Sequence, residues 1–184
     1  MPASEPARGP ALIRPVRRED AAAIAELYRP YVTDSVITFE LAAPDEGEIG
    51  ARIEAITHAF PWLVAEREGA VIGYAYGSPY RTRAAYRWVA ETGIYLAPAA
   101  QGQGLGRLLY GALLDALAAH GYVAAIGVLT LPNPASEALH AALGFRPAGV
   151  QPGIGFKQGR WHDVGFWQRD LAPRTADPAV PQPR

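Results

Sequence analysis

The sequence predicts an α/β (α+β) single domain in which a mixed, mostly antiparallel twisted sheet is flanked by helices. Three observations carry this. The chain has 184 residues, 49% hydrophobic and 19% charged, which suits one full core and leaves no room for a second ordinary domain. Helix-like apolar spacing gives way after Ala59 to strand-like runs and returns after Gly104. Between the two regimes, three glycines (Gly102, Gly104 and Gly106) stand on alternate positions, joining a strand pattern to a helical one.

The elements follow in order. "ALIRPV" (Ala11–Val16) reads as a first strand, and Glu19 to about Tyr31 as an amphipathic helix carrying Ala22, Ile24, Ala25 and Leu27. A second helix is predicted from Pro44 to Ala59, where the acids of "PDEGE" complement its positive N-terminal end. "PWLVAE", "VIGYAYGSPY" and "RWVAETGIYL", separated by "REGA" and "RTRAAY", are the pattern of consecutive antiparallel strands. Beyond the glycines, Leu105, Leu108, Leu109, Ala112, Leu113, Ala116 and Leu117 keep helical spacing, and Gly121 after His120 marks the stop. A strand ("YVAAIGVLT"), a short helix (about Pro134–Leu143) and strands near "FRPAGV" and "HDVGFWQRD" complete the domain. Trp62, Tyr74, Tyr76, Trp88 and Trp167 fall in strand patterns and are assigned to packing. Residues 1–10 read as an N-terminal tail, 11–171 as the domain, and the proline-rich 172–184 as a disordered tail.

Composition excludes several functions. The formal net charge is −1 with no long basic run, so neither nucleic acid nor an anionic membrane is an expected partner. With no cysteine and four scattered histidines (His58, His120, His140, His162), no metal site is expected. "MPASEPARGP" lacks the apolar core of a signal peptide, and no stretch approaches the roughly 20 apolar residues of a membrane span, so a cytoplasmic location is the default expectation.

Glycines ahead of a helix bring bare backbone amides to one spot at the positive end of the helix dipole, which suits an anion. A Walker loop is a poor fit, because Gly106 is followed by Arg107 and Leu108 where Lys and Ser or Thr are required. The dinucleotide fingerprint also fails, since the glycines run G-x-G-x-G with no acid about 20 residues on. A turn serving only chain reversal remains open on this hexapeptide alone.

Gln101-Gly102-Gln103-Gly104-Leu105-Gly106 resembles the Gln/Arg-x-x-Gly-x-Gly/Ala signature of the GCN5-related N-acetyltransferases (GNAT). The order of elements is similar to that superfamily's from about Ala11 to Leu171. "LPNPASEALHAALGF" resembles its second motif at Asn133, Leu139, Leu143, Gly144 and Phe145, departing at Ser136, where an alanine is usual, and at His140, where a tyrosine is usual. "SVITFE", the run from "PWLVAE" to "ETGIYL", and "GRWHDVGFWQRDL" look like the phosphinothricin N-acetyltransferase branch, which also favours histidine at His140. The resemblance implies transfer of acetyl from acetyl-CoA to the α-amino group of a small L-amino acid such as phosphinothricin, methionine sulfoximine or methionine sulfone, by a homodimer. It further implies that the backbone of Ile94, Tyr95 and Leu96 contacts the pantetheine arm and acetyl group. Gly102, Gln103, Gly104, Leu105, Gly106 and Arg107 would hold the pyrophosphate. Asn133, beside Ser136, would bond the pantetheine arm. A non-catalytic acyl-CoA sensor, or an enzyme acetylating peptides and proteins, stands as the alternative.

The residues supply candidate chemistry. An α-ammonium must lose a proton before it attacks a thioester, and Glu91, flanked by Trp88, Val89, Ala90, Ile94 and Leu96, is the candidate base because desolvation raises a carboxyl pKa. On a strand it shares a face with Gly93 and Tyr95, a surface thinned by the glycine. His140 competes as acid or base, with the Ser136 hydroxyl one helical turn away to orient its ring. A structural ion pair for Glu91 and a capping role for Asn133 are the plain alternatives. Arg81 and Arg83 in "PYRTRAAYRW" are the candidates for binding substrate oxyanions, while the resemblance implies Phe39 and Tyr86, with Thr38 and Glu40 of "TFE", on the substrate side.

Overall fold

The computed structural model describes residues 9–182, so most of the predicted N-terminal tail lies outside the described residues. β1 (Leu12–Pro15) leads through a short 3₁₀ turn (Arg18–Asp20) into α1 (Ala21–Thr33). Asp20 ties the two together: its carboxylate takes both terminal nitrogens of Arg14 at 2.8 Å and the Arg17 amide at 2.7 Å. α2 (Glu46–Thr57) is opened by Asp45, whose Oδ1 accepts from the Glu48 amide at 2.8 Å, the cap that its acidic lead-in predicts.

β2 (Trp62–Arg67), β3 (Ala70–Pro79) and β4 (Val89–Leu96) form the antiparallel meander. Glu68 and Gly69 both take positive φ (52° and 80°), the two-residue hairpin turn that matches strand twist. α3 (Leu105–Ala119), β5 (Ala124–Leu131), α4 (Pro134–Ala142), β6 (Arg146–Lys157) and β7 (Arg160–Asp170) follow. The seven-stranded sheet has the order β1-β2-β3-β4-β5-β7-β6, antiparallel throughout except for the parallel pair β4 and β5.

Strand alternation feeds a core on each face. Val64 and Tyr74 point to α1 and α2, joining Ile24, Tyr28, Val32, Ile49 and Ile53. Ala65, Ala75 and Ala90 point the other way, under Leu105, Leu109, Tyr110, Leu113 and Leu117 of α3. Leu108 departs from its expected place in that stripe: it is 65% exposed, because the buried arc of α3 runs through Leu109 and Tyr110 and leaves Leu108 outside it.

Two further differences come from the C-terminal third. β6 extends well past "FRPAGV" to pair with β7 as a long hairpin turning at Gln158 and Gly159 (φ 50° and 76°). Register breaks between Pro147 and Gly149 and between Gln151 and Gly155 destroy the alternation by which that extension is recognised. Residues 172–182 carry no helix or strand, yet they lie against the domain rather than free of it: Trp88 Nε1 donates to Ala179 O at 2.8 Å and Gln182 N to His120 O at 2.9 Å. Those bonds satisfy an indole N–H and a carbonyl at the end of α3, which gives an otherwise aperiodic segment a place to dock. Among the described residues no helix is long and apolar enough to cross a membrane, and no group of three or more His, Cys, Asp or Glu is placed to hold a metal.

Candidate active site

β4 and β5 pair only from Val89↔Ala124 to Thr92↔Gly127, although β4 continues to Leu96 and β5 to Leu131. Beyond Thr92 the strands part, and β4 turns part of its backbone edge to a gap. Two cavities open there. The smaller, about 110 Å³, is lined by Ile37, Tyr76, Ser78, Glu91, Gly93, Tyr95, Asn133, Ser136 and His140 among others. The larger, about 330 Å³, runs from Ile94 and Leu96 past Asn133 and Ser136 to Gly102, Gly104, Gly106 and Arg107.

The glycine loop has the geometry that its sequence predicts. Gly102 and Gly104 sit in the left-handed region at φ 71° and 76°, which other residues enter at a cost, and Gly104 is the N-cap of α3. At the start of α3 the Leu105 and Gly106 amides have no partner among the described residues, while those of Arg107 and Leu108 donate to Gly104 O at 3.1 and 3.3 Å; the positive end of the helix dipole lies here, next to the exposed Arg107. This cradle fits a pyrophosphate, and the edge of β4 that has no strand partner beyond Thr92 fits an extended amide-bearing arm at Ile94, while Leu96 N and O are taken by the Tyr31 hydroxyl. Two predicted members turn their side chains away from it. Leu105 is buried in the core, and the Gln103 side chain turns back to Ala99 O at 2.6 Å. Asn133 caps α4, its Oδ1 accepting from Ser136 N at 3.2 Å, while also lining both cavities. A residue that sequence reasoning missed completes this wall: the Tyr31 hydroxyl donates to Leu96 O at 2.6 Å and accepts from Gln101 Nε2 at 3.0 Å.

Glu91 is half-buried, faces the smaller cavity and has no hydrogen-bond partner among the described residues. Burial pushes its carboxyl above the ordinary range, opposed only by the charge of Arg81. The surface beside it is not open as Gly93 predicts, because the ring of Tyr76 fills the space over that glycine.

His140 is placed differently from Glu91. Thr92, next along β4, points to the opposite face and meets Tyr110 OH at 2.6 Å, and that hydroxyl lies 3.0 Å from His140 Nε2. The other ring nitrogen, Nδ1, donates to the backbone oxygen of Ser136 at 2.7 Å, while the Ser136 hydroxyl is 3.4 Å away. The backbone carbonyl therefore orients the ring, in place of the expected hydroxyl. At 3% exposure, burial lowers the imidazole pKa and favours its neutral form, against the Ser136 carbonyl, which raises it. Tyr110 and Thr92 carried no functional signal in the sequence, because only the α3 and β4 packing brings them to His140.

The substrate-side candidates divide. Arg81 and Arg83 are exposed, form no ion pair among the described residues, and line a cleft with Tyr80, Thr82 and Tyr86 that shares no residue with the Glu91 cavity, although the charge of Arg81 reaches Glu91. Glu40, by contrast, is spent on structure: Arg52 donates to both its oxygens at 2.7 and 2.9 Å, and Tyr28 OH to one at 3.0 Å. Thr38 Oγ1 bonds the same tyrosine at 2.7 Å. The Phe39 ring packs on Gly155 of β6 and beside His162, with ring centroids 6.1 Å apart. Their backbone is held by a residue the sequence did not single out. Lys157, 5% exposed, donates to Val32 O at 2.7 Å and Thr38 O at 2.8 Å, which fixes the loop carrying Ile37 over both cavities.

A parted parallel strand pair, a glycine cradle at a helix N-terminus and an unpaired carboxylate between them define an acyl-coenzyme-A-dependent transferase site. The chain belongs to the acetyltransferase (GNAT) family, whose model matches residues 22–145. It is 40% identical over 178 residues to a phosphinothricin N-acetyltransferase of Streptomyces viridochromogenes, covering 97% of this chain and 95% of that one. It is 34% identical over 168 residues to an L-methionine sulfoximine/L-methionine sulfone acetyltransferase of Salmonella typhimurium, covering 91% and 98%. Among solved structures it is similar to a phosphinothricin acetyltransferase from Sinorhizobium meliloti in complex with acetyl-CoA, with a TM-score of 0.88, 43% identity, and coverage of 92% and 93%.

Proposed function

We propose that this protein transfers the acetyl group of acetyl-CoA to the α-amino group of a small L-amino acid or analogue of the phosphinothricin, methionine sulfoximine or methionine sulfone type. The observation that carries the reading is Glu91, a half-buried carboxylate without a partner, facing a cavity that adjoins the glycine cradle at the β4/β5 gap. Burying a carboxylate unpaired costs stability, and a base of raised pKa is what deprotonation of an ammonium near neutral pH needs.

The cofactor, when bound, supplies an acetyl thioester at the gap. Gly102 to Arg107 would hold its pyrophosphate and the backbone of Ile94–Leu96, with Asn133, its pantetheine arm. The Ile94 amide on that edge would donate to a developing oxyanion. Glu91 takes the ammonium proton. His140, engaged at both nitrogens, shapes the wall on the far face. Arg81 and Arg83 are the groups suited to a substrate carboxylate or phosphinate. The test is acetyl-CoA-dependent thiol release over a panel of amines: fast release with the named amino-acid analogues supports the reading, and release with none of them overturns it.

The reading extends to a homodimer. Its support is an edge strand, β6, whose Val150, Ile154 and Phe156, with Trp161 of β7, are 52% to 66% exposed, an apolar strip of the kind that marks an interface. Sedimentation at equilibrium gives twice the chain mass if it is right.

A further inference from the structure

On the acetyltransferase reading above, we infer that Tyr76 and Ser78 are amine-contacting residues, which hold two N–H groups of the substrate while Glu91 takes the third proton. In the β3/β4 ladder Ser78 lies directly opposite Glu91 and Tyr76 directly opposite Gly93. Direct cross-strand neighbours carry their side chains on one face, about 5 Å apart. All three line the smaller cavity.

Tyr76 is held in place from both sides. Its ring stacks on Trp62 at 4.8 Å between centroids and 27° between planes. It crosses β4 where residue 93 has no side chain, since a Cβ there would come within 2.9 Å of Cε1 and 3.2 Å of the hydroxyl. Gly93 therefore exists to let this phenol reach the strand surface beside Glu91. Neither the Tyr76 hydroxyl nor that of Ser78 has a hydrogen-bond partner among the described residues. Hydroxyls within a fold are ordinarily bonded, so two free ones converging on one carboxylate in one cavity are set for a ligand. Burial raises the Tyr76 pKa, which keeps the phenol neutral and able to accept.

The chemistry needs such a set. An α-ammonium brings three N–H bonds. Once Glu91 removes one proton, the nitrogen lone pair must point at the thioester, and the two remaining N–H bonds fix that direction only if both have acceptors. Proton loss leaves the lone pair facing Glu91; with the two N–H bonds kept on the phenol and serine oxygens, inversion at nitrogen turns it into the gap. The nitrogen then forms the N–C bond, the C–S bond breaks with its electron pair on sulfur, and the second N–H proton lost on amide formation ends on the coenzyme thiol.

The test compares Tyr76→Phe and Ser78→Ala with wild type on methionine sulfone and its N-methyl derivative, which lacks one N–H. Each variant is expected to lose about tenfold in kcat/KM on the primary amine, the effect of one hydrogen bond. Acetyl-CoA affinity and the acidic limb of the pH–rate profile should be unchanged, and the preference for the primary over the N-methyl amine should shrink. Undiminished kcat/KM in both variants, or an equal loss on both substrates, overturns the inference. A wild-type enzyme inert to every amine overturns the underlying reading instead. Should Tyr76→Phe lose its packing, Ser78→Ala decides alone.

Discussion

The His140 ring stands where a side chain on Gly127 would have to be. A Cβ added at residue 127 of β5 would collide with His140 Nε2 and Cδ2, so the missing side chain is what lets α4 lay the ring on the strand and reach Tyr110. Gly127→Ala is therefore expected to swing the ring out of both its hydrogen bonds. The cost from overpacking should be about 1–3 kcal/mol, read from the denaturant midpoint at unchanged slope.

Replacing Glu91 by Gln keeps shape and burial but removes the proton acceptor. Turnover is expected to fall by something like 10²–10⁴-fold with acetyl-CoA affinity nearly constant, and the acidic limb of the pH–rate profile should vanish. His140→Ala should keep that limb, because the imidazole is engaged on both nitrogens. The opposite pattern in stopped-assay pH profiles would transfer the base to His140.

The same carboxylate should weaken the fold as pH rises. The folded pKa lies above the ordinary glutamate value of 4.5, so between the two the native chain binds more protons than the unfolded chain. Stability from the protonated form is then complete below the ordinary value and is lost as pH climbs through the raised one. Glu91→Gln should melt higher than wild type at neutral and alkaline pH, and the two curves should converge in acid. Calorimetric scans across pH give the answer.

Gly104 is required for its backbone more than for its neighbours, since nothing lies within 4 Å of a Cβ there while φ is +76°. Gly104→Val should cost roughly 1–2 kcal/mol from the left-handed backbone. Its bulk should also abolish acetyl-CoA binding in titration calorimetry on the folded variant. ATP and NAD should not compete for the wild-type site.

Arg81 and Arg83 form no ion pair among the described residues, as a carboxylate-binding pair requires, and the charge of Arg81 is felt at Glu91. Arg83→Ala should raise KM for the amino-acid analogues about tenfold while sparing acetyl-CoA. Wild type should acetylate the free acids far faster than their α-carboxamides. Equal rates for acid and amide would reassign the pocket to peptides or simple amines.

Those parts of the site that depend on residue type over a short span were legible in the sequence: the glycine loop, Asn133 at a helix start, and Glu91 in an apolar strand. Parts that depend on register were not. Ser78 becomes a neighbour of Glu91 only through the β3/β4 pairing, and Tyr76, which reads as packing, owes its free hydroxyl to a glycine on another strand. The spacing of Ser136 and His140 was correct, but spacing cannot tell a hydroxyl from the carbonyl of the same residue. Glu40 and Thr38 lay in the right loop and turned inward, because Arg52 and Tyr28 reach them first.

Lys157 spans 125 residues to reach Val32 and 119 to reach Thr38. Contacts so distant along the chain close late in folding, since their loop entropy must be overcome before they contribute. Every residue of the proposed coenzyme cradle precedes β6, so it is synthesised before the lysine. The roof over the amine cavity, set by Ile37, waits for the last hairpin. The segments proposed to hold the donor thus come off the ribosome before the one that fixes the roof over the acceptor.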